Sequence, residues 1–559
     1  MKMDDGETRF ILTNGNIYTL DPQNPHCQAM AIRGEKIYAL GSSEEVRSLA
    51  SMGFQEQNLG GKTVLPGFID THCHAISFGM NLKTWLGVQD VESVEDLQER
   101  VRERVRRIGH GDWIKGRGWC KGVLHKRMPT RWDLDEVAPD NLVVLIDSTG
   151  HMAVVNSKVL ELSGVDRSTQ FMTAGKIDRD PNSGEPNGIL RESALYELAW
   201  MKGPQPTDEE ILDAARLICQ RAVQEGVTSL SSIMITFPSE DEKTRGYTPR
   251  EIKPFVTLRQ RNELPLRIRL MIQAYRTHAT RGSDHTFVDR LIGLGLASGF
   301  GDDRLEIGGI KIIADGSIMA NTGAMREPYC SEPDSKGILH FTQEQLDAIV
   351  LKANQNDLQV EIHAHGDRAV DVTLQAYEQA LKNSKGKELR NIITHARVLH
   401  DEQIKKIKEL GLMVNGVPGV NGWLPTRLAV EAFNVGKERA PLLSRLRTLI
   451  DQGVTVAGGS DGHPCHPYGP MHYIYRAVNQ GNFSYEDPLT LDEAIRLWTK
   501  NAAYISFGEN KKGSLECGKL ADFIILSDDP YTAKKNLDQI KVEKTFVGGK
   551  MVWNREAPQ

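Results

Sequence analysis

The run Thr63-Val64-Leu65-Pro66-Gly67-Phe68-Ile69-Asp70-Thr71-His72-Cys73-His74 is apolar for most of its length and ends in two histidines one residue apart. Alternate side chains of a β-strand share a face, so His72 and His74 point one way and Cys73 the other. Two neutral imidazoles converging at a strand end can bind one metal ion. A single His-x-His is a weak motif, and its meaning depends on further donors. Lys311 interrupts the apolar run Gly308-Gly309-Ile310-Lys311-Ile312-Ile313-Ala314. Val360-Glu361-Ile362-His363-Ala364-His365 carries a second His-x-His, and Ile392-Ile393-Thr394-His395 ends in a histidine. Val456-Ala457-Gly458-Gly459-Ser460-Asp461 ends in an aspartate. Sixteen histidines scattered by chance would seldom mark so many strand ends.

Such donors meet only if their strands lie side by side. Eight short β-branched runs are visible, at 64–74, 227–234, 266–275, 307–315, 358–365, 391–397, 412–418 and 454–461. Helical patterns follow most of them, as in 209–226, where Ile211, Ala215, Ile218 and Ala222 form an apolar face. Strands alternating with helices predict a parallel sheet, and eight of them a closed α/β barrel of the (β/α)8 TIM type, with its chemistry at the C-terminal strand ends. About 150 residues separate the first two strands, too many for a loop. They predict an inserted α/β subdomain, about 80–205, that caps the mouth and contains a strand at 141–147. Both chain ends read as short strands with turns, among them Asn14-Gly15. Neither end suffices for a sheet alone, so 1–65 and 508–559 are expected to build one β-sandwich around a barrel of 66–507.

Bulk properties narrow the function. The 559 residues are 40% hydrophobic and 25% charged, with a net charge of −6, which gives no electrostatic case for nucleic acid. The arginine-rich stretch 100–107 alternates with acids and reads as a solvated helix face. Seven cysteines without a Cys-x-x-Cys motif argue against a disulfide framework or a structural zinc site and fit a reducing cytoplasm. The start is acidic, without the apolar core of a signal peptide. No apolar run reaches the roughly 18 residues of a membrane span.

With these motifs together, the chain resembles the metal-dependent amidohydrolase superfamily, and more closely its family-3 branch, which includes N-substituted formamide deformylases. The resemblance covers nearly the whole chain. Besides the runs above, it rests on Trp113-Ile114-Lys115-Gly116-Arg117-Gly118-Trp119, Gly150-His151-Met152-Ala153-Val154-Val155-Asn156-Ser157, His363-Ala364-His365-Gly366-Asp367-Arg368-Ala369, His395-Ala396-Arg397-Val398-Leu399 and Gly518-Lys519-Leu520-Ala521-Asp522-Phe523. It implies two divalent metal ions. His72, His74 and Asp461 would bind one, His363 and His395 the other, and Lys311, carboxylated by CO2, would bridge both. Mixed nitrogen and oxygen donors suit zinc first, with manganese, iron or cobalt compatible. Burial disfavours a charged lysine and makes its amine nucleophilic. A plain salt bridge from Lys311 to Asp315 is the alternative. His363 leads the family motif and is taken as the strand-five ligand, with His365 and Asp367 above it in supporting or helix-capping roles.

The chemistry expected is hydrolysis of a non-peptide C–N bond in a small amide, N-formyl compound or cyclic amide. A metal-activated hydroxide would attack the carbonyl, and Asp461 would act as general base and then general acid. His151, Trp119, Arg397 and His365 are candidate substrate contacts. His463 and His466 lie after strand eight, where no third metal is expected, and the polar segment 238–254 reads as a mobile lid edge. Strand two, Ser229-Leu230-Ser231-Ser232-Ile233-Met234, lacks the histidine and aspartate that relatives often carry. A mononuclear deaminase is the rival enzyme, but the position three after His363 is Gly366, not the glutamate such enzymes use. An inactive scaffold would have no need of six clustered ligands. The partner expected is a small amide-like molecule, with no membrane and, by base rate, a homodimer.

Overall fold

The computed structural model describes residues 8–556 except 122–123, 125–126, 172–173, 236–250, 276–285, 384–387, 417–424, 463–467, 480–484 and 534–535. His463, His466 and most of the 238–254 segment therefore lie outside the described residues. Eight parallel strands form one sheet: Phe68–Cys73 (β1), Val227–Ile235 (β2), Arg267–Gln273 (β3), Leu305–Ile313 (β4), Val360–Ala364 (β5), Ile392–His395 (β6), Met413–Asn415 (β7) and Val456–Ala457 (β8). Each pairs with the next in chain order. The sheet closes on itself through the chain after β8. Thr71 donates its N–H to Gly458 O at 3.2 Å, and Asp461 donates to His72 O at 2.7 Å. The (β/α)8 barrel is thus present, and its strands begin and end within a few residues of the apolar runs.

The first run needs a correction. Residues 64–74 are two strands that break at Gly67. Thr63–Pro66 belongs to a terminal sheet, where it pairs with Phe523–Leu526 from the far end of the chain. The barrel strand starts at Phe68, whose N–H goes to Gly226 O. A side chain at Gly67 would collide with Thr228, so only glycine fits at this crossing. Four strands of the N-terminal segment form one terminal sheet. A second sheet has six strands, in the order Lys550–Asn554, Val542–Val547, Phe523–Leu526, Thr63–Pro66, Asn16–Tyr18 and His26–Cys27.

Between β1 and β2 runs a mixed six-stranded sheet in the order Gly175–Arg179, Pro186–Glu192, Met152–Val155, Leu142–Asp147, Trp113–Trp119, Leu86–Gly87. The helix Asp208–Gln224 then enters β2. Thr207 and Glu210 cap its start reciprocally, and Ile211, Ala215, Ile218 and Ala222 are buried as the spacing predicts. This apolar face and those of the other barrel helices cover the outward side chains of the parallel strands, which is why β2 and β3 are buried along their whole length. No helix among the described residues is long and apolar enough to cross a membrane.

Candidate metal centre

The C-terminal ends of β1, β5, β6 and the chain after β8 bring six donors into two groups of three. In each group the potential ligand atoms lie within 4.8 Å of one another: His72, His74 and Asp461 in one, His363, His365 and His395 in the other. His74 lies one residue past β1, at the start of the helix Ala75–Lys83, and remains half-buried while His72 is fully buried. His72 Nε2 and His74 Nε2 both face Asp461 Oδ1, at 3.4 and 3.5 Å. In the second group the ring centroids of His365 and His395 are 4.4 Å apart, and those of His363 and His395 4.6 Å. His395 and Asp461 hold left-handed backbone angles, φ 70° and 63°, which non-glycine residues adopt at a cost and which recur at functional sites. Lys311 lines the same pocket.

Behind these donors lie carboxylates that strand spacing alone did not single out. Glu361 Oε1 accepts hydrogen bonds from His72 Nδ1 (2.5 Å), Thr394 Oγ1 (2.5 Å) and Lys311 Nζ (3.0 Å). Lys311 is therefore paired with Glu361 and not with Asp315. Asp315 instead accepts the backbone N–H groups of His365, Gly366 and Ala324. Burial would raise the Glu361 carboxyl, but the Lys311 and His72 charges hold it far below the usual range. Burial pushes the Lys311 ammonium down, against the pull of Glu361. Asp70, two residues before His72, accepts from Ser460 N–H and Oγ and from His72 N–H, and burial lifts it to about 6. Both carboxylates stand two residues from a histidine in an otherwise apolar strand, a signal the sequence did contain.

The donor set fits divalent ions. Burial, and then the charge of neighbouring groups, holds His363, His365 and His395 well below the ordinary imidazole value, so they are neutral and able to coordinate. Burial and Lys311 also push His72 down, but Glu361 and Asp461 outweigh them and hold it up, which marks a place where a cation is favoured. Its Nδ1–H bond to Glu361 fixes the ring with Nε2 free to face an ion, an arrangement common among metal-bound histidines.

The insert contributes part of the wall. His151 lines the pocket, with its Nδ1 3.0 Å from Glu192 Oε1. Glu192 is buried at the end of its strand with φ 52°, and its other oxygen is 3.3 Å from His340 Nε2. Burial would raise this carboxyl, and the two imidazoles hold it well below its usual range. Trp119 does not line the pocket. It is fully buried in the core of the insert, with its indole N–H on Leu145 O. Arg397 is not among the lining residues of the pocket: it is buried on Glu431, beside Arg427, which does line it.

An eight-stranded barrel with histidine and aspartate donors at its mouth defines a metal-dependent hydrolase. Residues 55–553 match the amidohydrolase family, and the chain belongs to that family. It is 30% identical to Protein LONG AFTER FAR-RED 3 of Arabidopsis thaliana, over 97% of this chain and 91% of that protein. It is 27% identical to N-substituted formamide deformylase of Arthrobacter pascens, over 98% of each chain. A solved structure of an uncharacterized metal-dependent hydrolase from Pyrococcus furiosus superposes with a TM-score of 0.68 at 28% identity, covering 93% of this chain and 99% of that one.

Proposed function

We propose that the protein hydrolyses a non-peptide C–N bond in a small amide, N-formyl compound or cyclic amide, using two divalent ions. The observation that carries this reading is the pair of donor triads, His72–His74–Asp461 and His363–His365–His395, in one pocket with Lys311. In this reading His72, His74 and Asp461 would hold one ion, and His363 and His395 the second, with His365 close enough to share it; Lys311 would add an anionic oxygen donor once carboxylated. Zinc is the first expectation for both. Bound ions would supply an acidified water and polarise the substrate carbonyl. Asp461, pinned by its N–H bond to His72 O, takes the proton of the attacking water and returns it to the leaving nitrogen. That return is needed because an expelled amide anion is too basic to leave unprotonated. His151, oriented by Glu192, presents its second nitrogen to the substrate.

The relative from Arthrobacter pascens supports a formamide as the first compound to try. The test is a screen of formamides, simple amides and lactams with metal-replete protein, read as amine and formate release alongside metal analysis. About two ions per chain and turnover of one of these classes are expected, with Lys311→Ala inactive. One ion per chain, or no turnover across the panel, would overturn the reading.

A further inference from the structure

We propose a second binding site, at the floor of the barrel, that takes a small divalent oxyanion of the sulfate or phosphate class on Lys512, Ser229 and Ser231. It lies at the other end of the strands from the metal donors and does not depend on the amide-hydrolase reading. Bulky aliphatic side chains ordinarily fill the interior of such a barrel. Here Ser229 and Ser231, near the start of β2, pair in register with Arg267 and Arg269 of β3. Paired and alternate residues of a sheet share a face, so these four side chains lie together. Arg269 donates across the interior to Gly308 O at 2.7 Å and to Gln359 Oε1 at 3.0 Å. A Cβ at Gly308 would fall 2.7 Å from Arg269 Cγ, so glycine makes room for the arginine. The four residues line one pocket with Lys511, Lys512, Asp303 and Glu306.

The carboxylates around this pocket are already matched to cations. Asp522 binds Arg267 at 2.7 and 2.8 Å, and Asp303 binds Lys511 at 2.6 Å. Glu306 lies 3.3 Å from Arg269 Nε, and Glu35 pairs with Arg304 at 3.1 Å. Lys512 is the cation left over. Its ammonium donates to Ser229 Oγ at 3.0 Å and forms no ion pair among the described residues. An ammonium has three N–H donors, so two remain, and Ser229 keeps its own hydroxyl proton to donate. Ser231, 5% exposed on the same wall, makes no side-chain hydrogen bond among the described residues. Arg269 Nε is also buried without a hydrogen bond. Unpaired charge and unused donors in a buried place are costly, and an anion that accepts from them recovers that cost. Oxyanions suit such donors, because charge-assisted hydrogen bonds to them are short and strong. The ligand must be small, since the interior of an eight-stranded barrel is only wide enough for side chains.

The test titrates sodium sulfate into the metal-replete protein in a chloride buffer of constant ionic strength, followed by calorimetry and by thermal unfolding. One sulfate per chain and a saturable rise in Tm are expected, because a ligand that binds only the folded state stabilises it. Sulfate also stabilises proteins without binding them, but that effect grows with concentration and does not saturate. Lys512→Met should weaken sulfate binding at least tenfold and remove the saturable part of the rise. Ser231→Ala, a milder change, should weaken binding about fivefold, the scale of one hydrogen bond. Inorganic phosphate and glycerol 3-phosphate are the second pair of probes. Binding of phosphate alone assigns the free ion, and equal binding of both assigns the phosphoryl group of a larger molecule. No saturable response to sulfate or phosphate overturns the proposal. So does a response that survives both Lys512→Met and Ser231→Ala, which would place the anion at the metal centre instead.

Discussion

At the scale of single residues, two histidines of the site are oriented by buried carboxylates. His72 leans on Glu361, and His151 leans on Glu192. The second pair can be tested without touching a candidate metal ligand. Glu192 adopts φ 52°, a backbone cost on the order of 1–3 kcal/mol that persists only where surrounding contacts enforce it. Glu192→Gln keeps shape and an acceptor oxygen but removes the charge that holds His151 and His340. The expected result is a fall of 10-fold or more in kcat with KM changed far less, because an oriented imidazole matters most as charge develops on the carbonyl. His151→Gln should cost at least as much, and the double variant should be no worse than His151→Gln alone, since Glu192 acts through His151. Effects that multiply would show that the two residues act separately.

At the scale of elements, the donors are placed by how strand ends join the loops beyond them. Asp315, just past β4, takes the N–H groups of His365, Gly366 and Ala324, tying the end of β5 to the loop that follows β4. Gly366 lies in that contact, and a Cβ there would overlap the Ala324 carbonyl. Gly366→Ala must therefore force the two segments apart and displace His365. A loss of about 1–3 kcal/mol of stability and a lowered metal content are expected, measured by urea unfolding and metal analysis. Unchanged stability and metal content would contradict this account. The barrel strands were legible as apolar runs, and the donors because the runs of β1, β4, β5, β6 and β8 carry or end in them. Glu361 and Asp70 were legible in the same alternation but were overshadowed by the histidines two residues on. The His151–Glu192 pair was not legible. It depends on Met152–Val155 pairing antiparallel with Pro186–Glu192, a contact across some 40 residues that no local spacing encodes. Trp119, a candidate substrate contact by sequence, lies instead in the core of the insert with its N–H on Leu145 O, the setting an aromatic beside glycines more often has.

At the scale of the molecule, the sheets built from the chain ends are fastened to the floor of the barrel, the end away from the metal donors. Arg267 at the start of β3 makes a paired ionic contact with Asp522, at 2.7 and 2.8 Å, and Asp522 also accepts the Gly548 N–H. Beside this lock, Lys512 reaches under the barrel to Ser229 Oγ at 3.0 Å. Burial pushes the Lys512 ammonium down to about 8 from 10.5, with Glu306 pulling it back only in part. The sign follows directly. Between about pH 8 and 10.5 the unfolded chain binds a proton that the native protein does not, so stability contributed by this group rises with pH across that window. Below pH 8 both states are protonated and the full cost of burying the charge is present. Lys512→Met removes that cost, less the hydrogen bond to Ser229 and a discount for the partial exposure of the side chain. The variant should therefore be more stable than the parent by about 1–2 kcal/mol at pH 7, and the gap should close as pH approaches 10.5. Thermal unfolding of both proteins at pH 7 and pH 10 measures it. A gap that is the same at both pH values, or a variant less stable at pH 7, would mean that Lys512 serves the barrel floor as a hydrogen-bond donor and not as a strained charge.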